Sequence, residues 1–177
     1  IVVYCWTGQH SSQVTAYLNM LGYDAYSLKF GSNNLFYDDL TAHKWSGSAD
    51  YELETGAMPT ETFNTIATAL TDYVNDSSDC PGVMSAADLN DNLDLYTVID
   101  IRSADAYNAG HITGAYHSSL STLLTDVGTT IPTDKPFVIA CYTGQSAGHG
   151  KVAMELMGYE EVKTLGFGMS SWNSATD

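Results

Sequence analysis

Short apolar runs without polar alternation punctuate this chain: Ile1-Val2-Val3, Tyr96 to Ile101 and Phe137 to Ala140, with further strands expected near Ala25 and Val162. Runs of this kind, bounded by polar loops, mark strands of a parallel sheet covered on both faces. Between them the pattern turns helical. Val14, Tyr17, Leu18 and Leu21 fall at i, i+3, i+4 and i+7 and predict one apolar stripe on a helix that Gly22 ends; Gly158 ends the corresponding helix later in the chain. Thr60 and Glu61 open an amphipathic helix carrying Phe63, Ile66, Ala67, Leu70 and Val74, and residues 75–82 form a turn-rich linker. Ser85 caps a short helix through Leu89, Ser103 begins another through Tyr107, and a further one is expected from Ser121 to Asp126.

The chain also repeats itself. Ile1-Val-Val-Tyr-Cys-Trp-Thr-Gly-Gln lines up with Phe137-Val-Ile-Ala-Cys-Tyr-Thr-Gly-Gln at an offset of 136 residues, counted from Cys5 to Cys141. The register continues through Met20-Leu-Gly-Tyr against Leu156-Met-Gly-Tyr and, with one residue gapped, Phe30-Gly31 against Phe167-Gly168. Cysteine, strand and Gly-Tyr in one register identify a duplication. Each copy reads strand, polar loop, helix, strand. The second copy has further elements before it that the first lacks, which divides the chain into residues 1–58, the carboxyl half of a first domain; 59–82, a helix and linker; and 83–177, a complete second domain. A strand–loop–helix–strand unit alone leaves sheet faces unburied. The expectation is therefore a piece of a longer tandem protein, with the missing half-domain removed, disordered or supplied as a separate chain.

Charge narrows the function. The 177 residues carry 21 acidic side chains against 6 basic ones, a formal net charge of −15, and Arg102 is the only arginine. Thirteen acids lie between Asp38 and Asp100 with Lys44 as the single base among them. No basic face is available for phosphates, so a nucleic-acid partner is excluded, and the acidic stretch reads as a solvated surface. No apolar run approaches the length of a membrane span. Strong acidity, few lysines and abundant Ser, Thr, Asn and Tyr are compatible with an exported, periplasmic protein, and the compartment stays open. Three cysteines make no disulfide scaffold for a chain of this size. Cys5 and Cys141 end apolar strands, whereas Cys80 sits in a polar turn.

A cysteine between a strand and a helix is a nucleophile candidate. Loop N–H groups converge on the sulfur and the positive end of the helix points there; both favour thiolate. In the second copy the loop is Cys141, Tyr142, Thr143, Gly144, Gln145 and Ser146; in the first it is Cys5, Trp6, Thr7, Gly8, Gln9 and His10. Gly144 and Gly8 let the backbone curl, and the hydroxyl and amide side chains add donors without charge. Asp100 and Arg102 end a buried strand and are expected to brace the loop rather than do chemistry. His111 reads as a hydrogen-bonded turn residue.

Asp100-Ile-Arg102, Tyr107-Asn-Ala-Gly-His111-Ile-Thr-Gly-Ala115, Cys141-Tyr-Thr-Gly-Gln-Ser146 and Gly166-Phe-Gly-Met-Ser-Ser-Trp172 together resemble the rhodanese family from Met84 to the chain end. The resemblance implies a doubly wound α/β domain with helices on both faces of a parallel sheet. It implies a sulfurtransferase whose cysteine takes a sulfane sulfur from thiosulfate, another small sulfur anion or a persulfide, and passes it to cyanide or a thiol. Neither metal nor organic cofactor is implied. The sulfur-handling members carry a six-residue loop, as Cys141 to Ser146 is. The phosphatases of this fold have a longer loop ending in arginine, so phosphatase activity is disfavoured. Here Ser146 and His10 stand where many relatives have arginine, and a neutral or protein-bound polysulfide is as suitable a donor as thiosulfate. A persulfide carrier or sensor, or a non-catalytic interaction module, are the alternative readings.

Overall fold

The computed structural model describes residues 1–39, 47–56 and 82–176. Cys80, the helix expected from Thr60 and nearly all of the linker lie outside them.

The second copy forms a five-stranded sheet from β3 (Val83–Met84), β4 (Thr97–Asp100), β5 (Tyr116–His117), β6 (Phe137–Ala140) and β7 (Val162–Leu165), in the order β3-β7-β6-β4-β5. Every pairing is parallel, and β6 lies at the centre between β4 and β7. Because side chains alternate along a strand, the sheet has two apolar faces. Ile99, Phe137, Ile139 and Val162 pack with Leu123, Ala147 and Met154 on one. Val98, Val138, Ala140 and Leu165 pack with Leu89, Tyr107 and Trp172 on the other. This is the doubly wound α/β arrangement, and it explains why β4 and β6 are apolar without alternation.

The covering helices are α3 (Ala86–Asp91), α4 (Ala104–Ala109), α5 (Leu123–Asp126), α6 (Gln145–Leu156) and α7 (Met169–Trp172). Ser85 and Ser103 cap α3 and α4, their hydroxyls accepting from the N–H groups of Asp88 and Ala106. The first copy contributes β1 (Val2–Val3), α1 (Gln9–Met20), β2 (Tyr26–Ser27) and the single turn α2 (Asn33–Phe36). Its two strands pair in parallel, as β6 and β7 do. Residues 47–56, counted with the first unit on sequence, pack on the second. Ala49 and Tyr51 donate to the carbonyls of Ser171 and Trp172, and Glu54 pairs with His111 through the backbone.

The helix α1 departs from expectation. Its buried positions are Gln9, Ser11, Ser12, Gln13 and Thr15, while Val14 and Leu21 of the anticipated apolar stripe are exposed. The polar side faces α6. Small residues allow the close approach: a Cβ on Gly148 would meet the Ser12 hydroxyl at 2.2 Å. Within this interface Lys151 pairs with Glu155, and the Tyr17 hydroxyl donates to the same carboxylate at 3.3 Å.

Candidate functional site

Cys141 follows β6 directly, at the carboxyl edge of the sheet. From there the chain turns through Gly144, at φ 86°, into α6. The turn aims the Gly144 N–H at the Cys141 sulfur, 3.1 Å away. A second segment straps the loop from behind. Between β7 and α7, Phe167 and Gly168 both take positive φ, 58° and 59°. Met169 N–H then donates to the Cys141 carbonyl at 2.8 Å, and Ser170 donates to the Tyr142 carbonyl from its N–H and its hydroxyl. A Cβ at Gly168 would stand 2.3 Å from the Cys141 carbonyl oxygen, so only glycine fits.

The first copy builds the same object. Gly8, at φ 87°, donates its N–H to the Cys5 sulfur at 3.2 Å. Phe30 and Gly31 repeat the positive φ values, and Ser32 and Asn33 N–H groups hold the carbonyls of Cys5 and Trp6. One feature differs. Ser11 presents its hydroxyl 3.8 Å from the Cys5 sulfur, where the duplicated position in α6 is Ala147. Burial pushes the Cys5 thiol up, but hydrogen bonding from Ser11, Thr7 and Gly8 outweighs it and leaves the pKa below its ordinary value.

Asp100 and Arg102 are buried together, with the Arg102 Nη2 at 2.7 Å from the Asp100 Oδ2. Arg102 also donates to the Gly110 carbonyl at 2.7 Å, and its guanidinium lies 5.8 Å from the centre of the Tyr142 ring. The pair thus supports the residue next to Cys141. His111 is a buried turn residue: its Nδ1 is 2.9 Å from the Tyr107 carbonyl and its ring stacks on Tyr107. His117 Nε2 lies 2.9 Å from the Arg102 carbonyl.

The structure brings the two loops side by side. Gln9 packs on Gly144 and Gln145 on Gly8, and the Gln145 amide donates to the Thr7 carbonyl at 3.4 Å. Thr7, Tyr142 and Thr143 border a common cavity. Trp6 and Ser146 are exposed and line no part of it, and His10 is half-buried on α1. The straps Phe30-Gly31 and Phe167-Gly168 were not anticipated as site residues, although their recurrence in both copies was the available signal. Among the described residues, no group of three or more His, Cys, Asp or Glu is placed to hold a metal ion, and no helix is long and apolar enough to cross a membrane.

The Rhodanese-like domain family matches residues 85–175, a span that includes Asp100, Arg102 and the Cys141 loop. The chain belongs to the rhodanese-like family. Thiosulfate sulfurtransferase GlpE of Shewanella oneidensis is 32% identical over 78 residues, covering 44% of this chain and 76% of that protein. GlpE of Pseudomonas fluorescens is 34% identical over 77 residues, covering 44% and 70%. At the level of the family these relatives are sulfurtransferases. Among solved structures, a rhodanese-related protein from Thermoplasma volcanium aligns with a TM-score of 0.47 and 24% identity, covering 52% of this chain and 91% of its own. All of these matches fall on about half of this rhodanese-like chain.

Proposed function

We propose that the chain is a sulfurtransferase working through a persulfide on Cys141, with Cys5 as a second candidate thiol. The carrying observation is the Gly144 N–H directed at the Cys141 sulfur from a six-residue loop that opens straight into α6. In the first half-reaction the Cys141 thiolate attacks the outer sulfur of the donor. A new Sγ–S bond forms while the donor's S–S bond breaks, and its electron pair leaves on sulfite when thiosulfate is the donor. A thiophile such as cyanide or a thiolate then attacks that outer sulfur, and the Cys141 thiolate departs. The loop N–H groups and the amino end of α6 stabilise negative charge on the persulfide and on the departing anion. Asp100 and Arg102 position Tyr142 and the loop. With no arginine in either loop a bidentate phosphate clamp is lacking, which argues against phosphoryl chemistry.

Cyanide-dependent thiocyanate formation tests the assignment. Cys141→Ser is expected to remove most of it; turnover unchanged in that variant would refute the role. A persulfide carrier is the second reading, favoured by the burial of Cys141, which is 4% exposed and thereby shields a stored sulfur from bulk thiols. Persulfide retained on Cys141 with negligible turnover would select it.

A further inference from the structure

The helices α1 and α6 run side by side in the same direction. Gly8 and Gly144 at their amino ends pack on Gln145 and Gln9, Ser12 meets Gly148 further along, and the Tyr17 hydroxyl donates to Glu155 at 3.3 Å near their carboxyl ends. Both helices therefore finish at one end of the pair, at Met20-Leu21 and at Leu156-Met157, which are matched positions of the two copies. All four side chains are more than half exposed, Leu21 at 75% and Met157 at 62%. Gly22 and Gly158 then turn the chain away at φ 87° and 90°. A Cβ at either glycine would meet nothing within 4 Å among the described residues, so this tip stands clear of the rest of the fold.

The same tip is negative. The carbonyl ends of two helices point there, and neither helix carries a basic side chain in its last turn to offset them. Asp24 follows α1, and Glu160 and Glu161 follow α6, with Asp24 and Glu161 exposed. Clustered leucine and methionine, the latter with an adaptable thioether, make a surface suited to apolar partners. The acidic rim sets the partner's sign, attracting lysine and arginine and repelling an anionic surface. The 12 residues of each helix hold the tip about 18 Å from the cysteine loops, so a partner seated there leaves the loops open.

We infer that this tip is a docking surface for a basic amphipathic segment of another protein. The segment's apolar side chains cover Met20, Leu21, Leu156 and Met157, and its lysines or arginines face Asp24, Glu160 and Glu161. The inference assigns a partner and not a reaction, so it stands apart from the chemistry at Cys141. The duplication makes the surface. One helix end alone offers two apolar side chains, and only the pairing of α1 with α6 sets four together.

A short fluorescein-labelled helical peptide of leucine and lysine, with its leucines on one face, tests this by anisotropy on the full chain. The same peptide with glutamate for lysine is the control. The lysine peptide should bind saturably and the glutamate peptide at least about tenfold more weakly. Leu21→Ser with Met157→Ser removes two apolar contacts from exposed positions and should weaken binding by about tenfold or more. Asp24→Asn with Glu160→Gln and Glu161→Gln should weaken it by about fivefold and flatten its dependence on salt. Absence of binding, equal binding of the glutamate peptide, or affinity unmoved by either set of substitutions would overturn the inference. Sedimentation equilibrium of the chain alone separates the other occupant. A dimer that Leu21→Ser with Met157→Ser dissociates would assign the tip to a second copy and overturn the inference as well.

Discussion

Ser11 and Ala147 distinguish the surroundings of two cysteines held by matching loops. The hydroxyl near Cys5 helps hold its thiol below the ordinary pKa, whereas Ala147 offers Cys141 only a methyl group. A lowered pKa means that thiolate, the reactive form, persists to lower pH. Alkylation of Cys5 by iodoacetamide, followed by peptide mass spectrometry, should reach half its limiting rate at a lower pH than an unperturbed thiol does. Ser11→Ala should move that midpoint upward. Glycine sets the second constraint at this scale. Gly168→Ala forces a Cβ against the Cys141 carbonyl at positive φ, and should cost about 1–3 kcal/mol in chemical denaturation while lowering thiocyanate formation. The cysteines, their glycine turns and the Asp100–Arg102 pair were legible in the sequence because each has its own residue signature. The strap glycines were visible as a repeat but not as site residues. Their constraint is a contact with a carbonyl distant in sequence, and no local pattern records it.

Helices were harder to read than strands, and α1 shows why. Its apolar positions have helical spacing, which ordinarily marks the face turned to the core. The face turned to α6 instead carries Gln9, Ser12 and Gln13, because its neighbour there is another helix, and the buried Ser11 bonds to Ser27 of β2. Periodicity identifies a helix correctly and still cannot say what it packs against. The caps of α3 and α4, by contrast, were readable from Ser85 and Ser103 alone, since capping depends only on nearby N–H groups. The contact between helices rests partly on the buried pair Lys151–Glu155 with Tyr17. Burial depresses the Lys151 pKa and the neighbouring carboxylate opposes that fall. Lys151→Met strands the carboxylate and should destabilise the chain by about 3–5 kcal/mol in urea unfolding, and the double change Lys151→Met with Glu155→Leu should recover most of the loss.

At the scale of the molecule, and among the described residues, the sheet of the second copy is covered on both faces and the pair β1–β2 is not. Val2 is 68% exposed, and Tyr4 and Tyr26 are similarly open. β6, the counterpart of β1, has a strand on each side, whereas among the described residues β1 pairs only with β2. Uncovered apolar strands bind hydrophobic dyes and associate. Val2→Lys combined with Tyr26→Lys should lower dye fluorescence and raise solubility while thiocyanate formation from Cys141 continues. The matched cysteine segments gave no sign in the sequence that they would meet through α1 and α6.

That meeting has the form of an isologous interface. Gly8 touches Gln145 as Gly144 touches Gln9, and Ser12 meets Gly148, its own counterpart in register. Subunits of a two-fold homodimer make contacts in this reciprocal way. Here both partners are covalently joined, so their pairing is intramolecular and does not dilute away. Joining them also releases each side from having to match the other residue for residue. Tyr17 can reach Glu155 while the reciprocal positions hold Ala153 and Asn19, and Ser11 stands beside the Cys5 thiol where the second copy has Ala147. The contact keeps its two-fold form at Gly8, Gly144, Ser12 and Gly148, while the residues around it differ between the two copies.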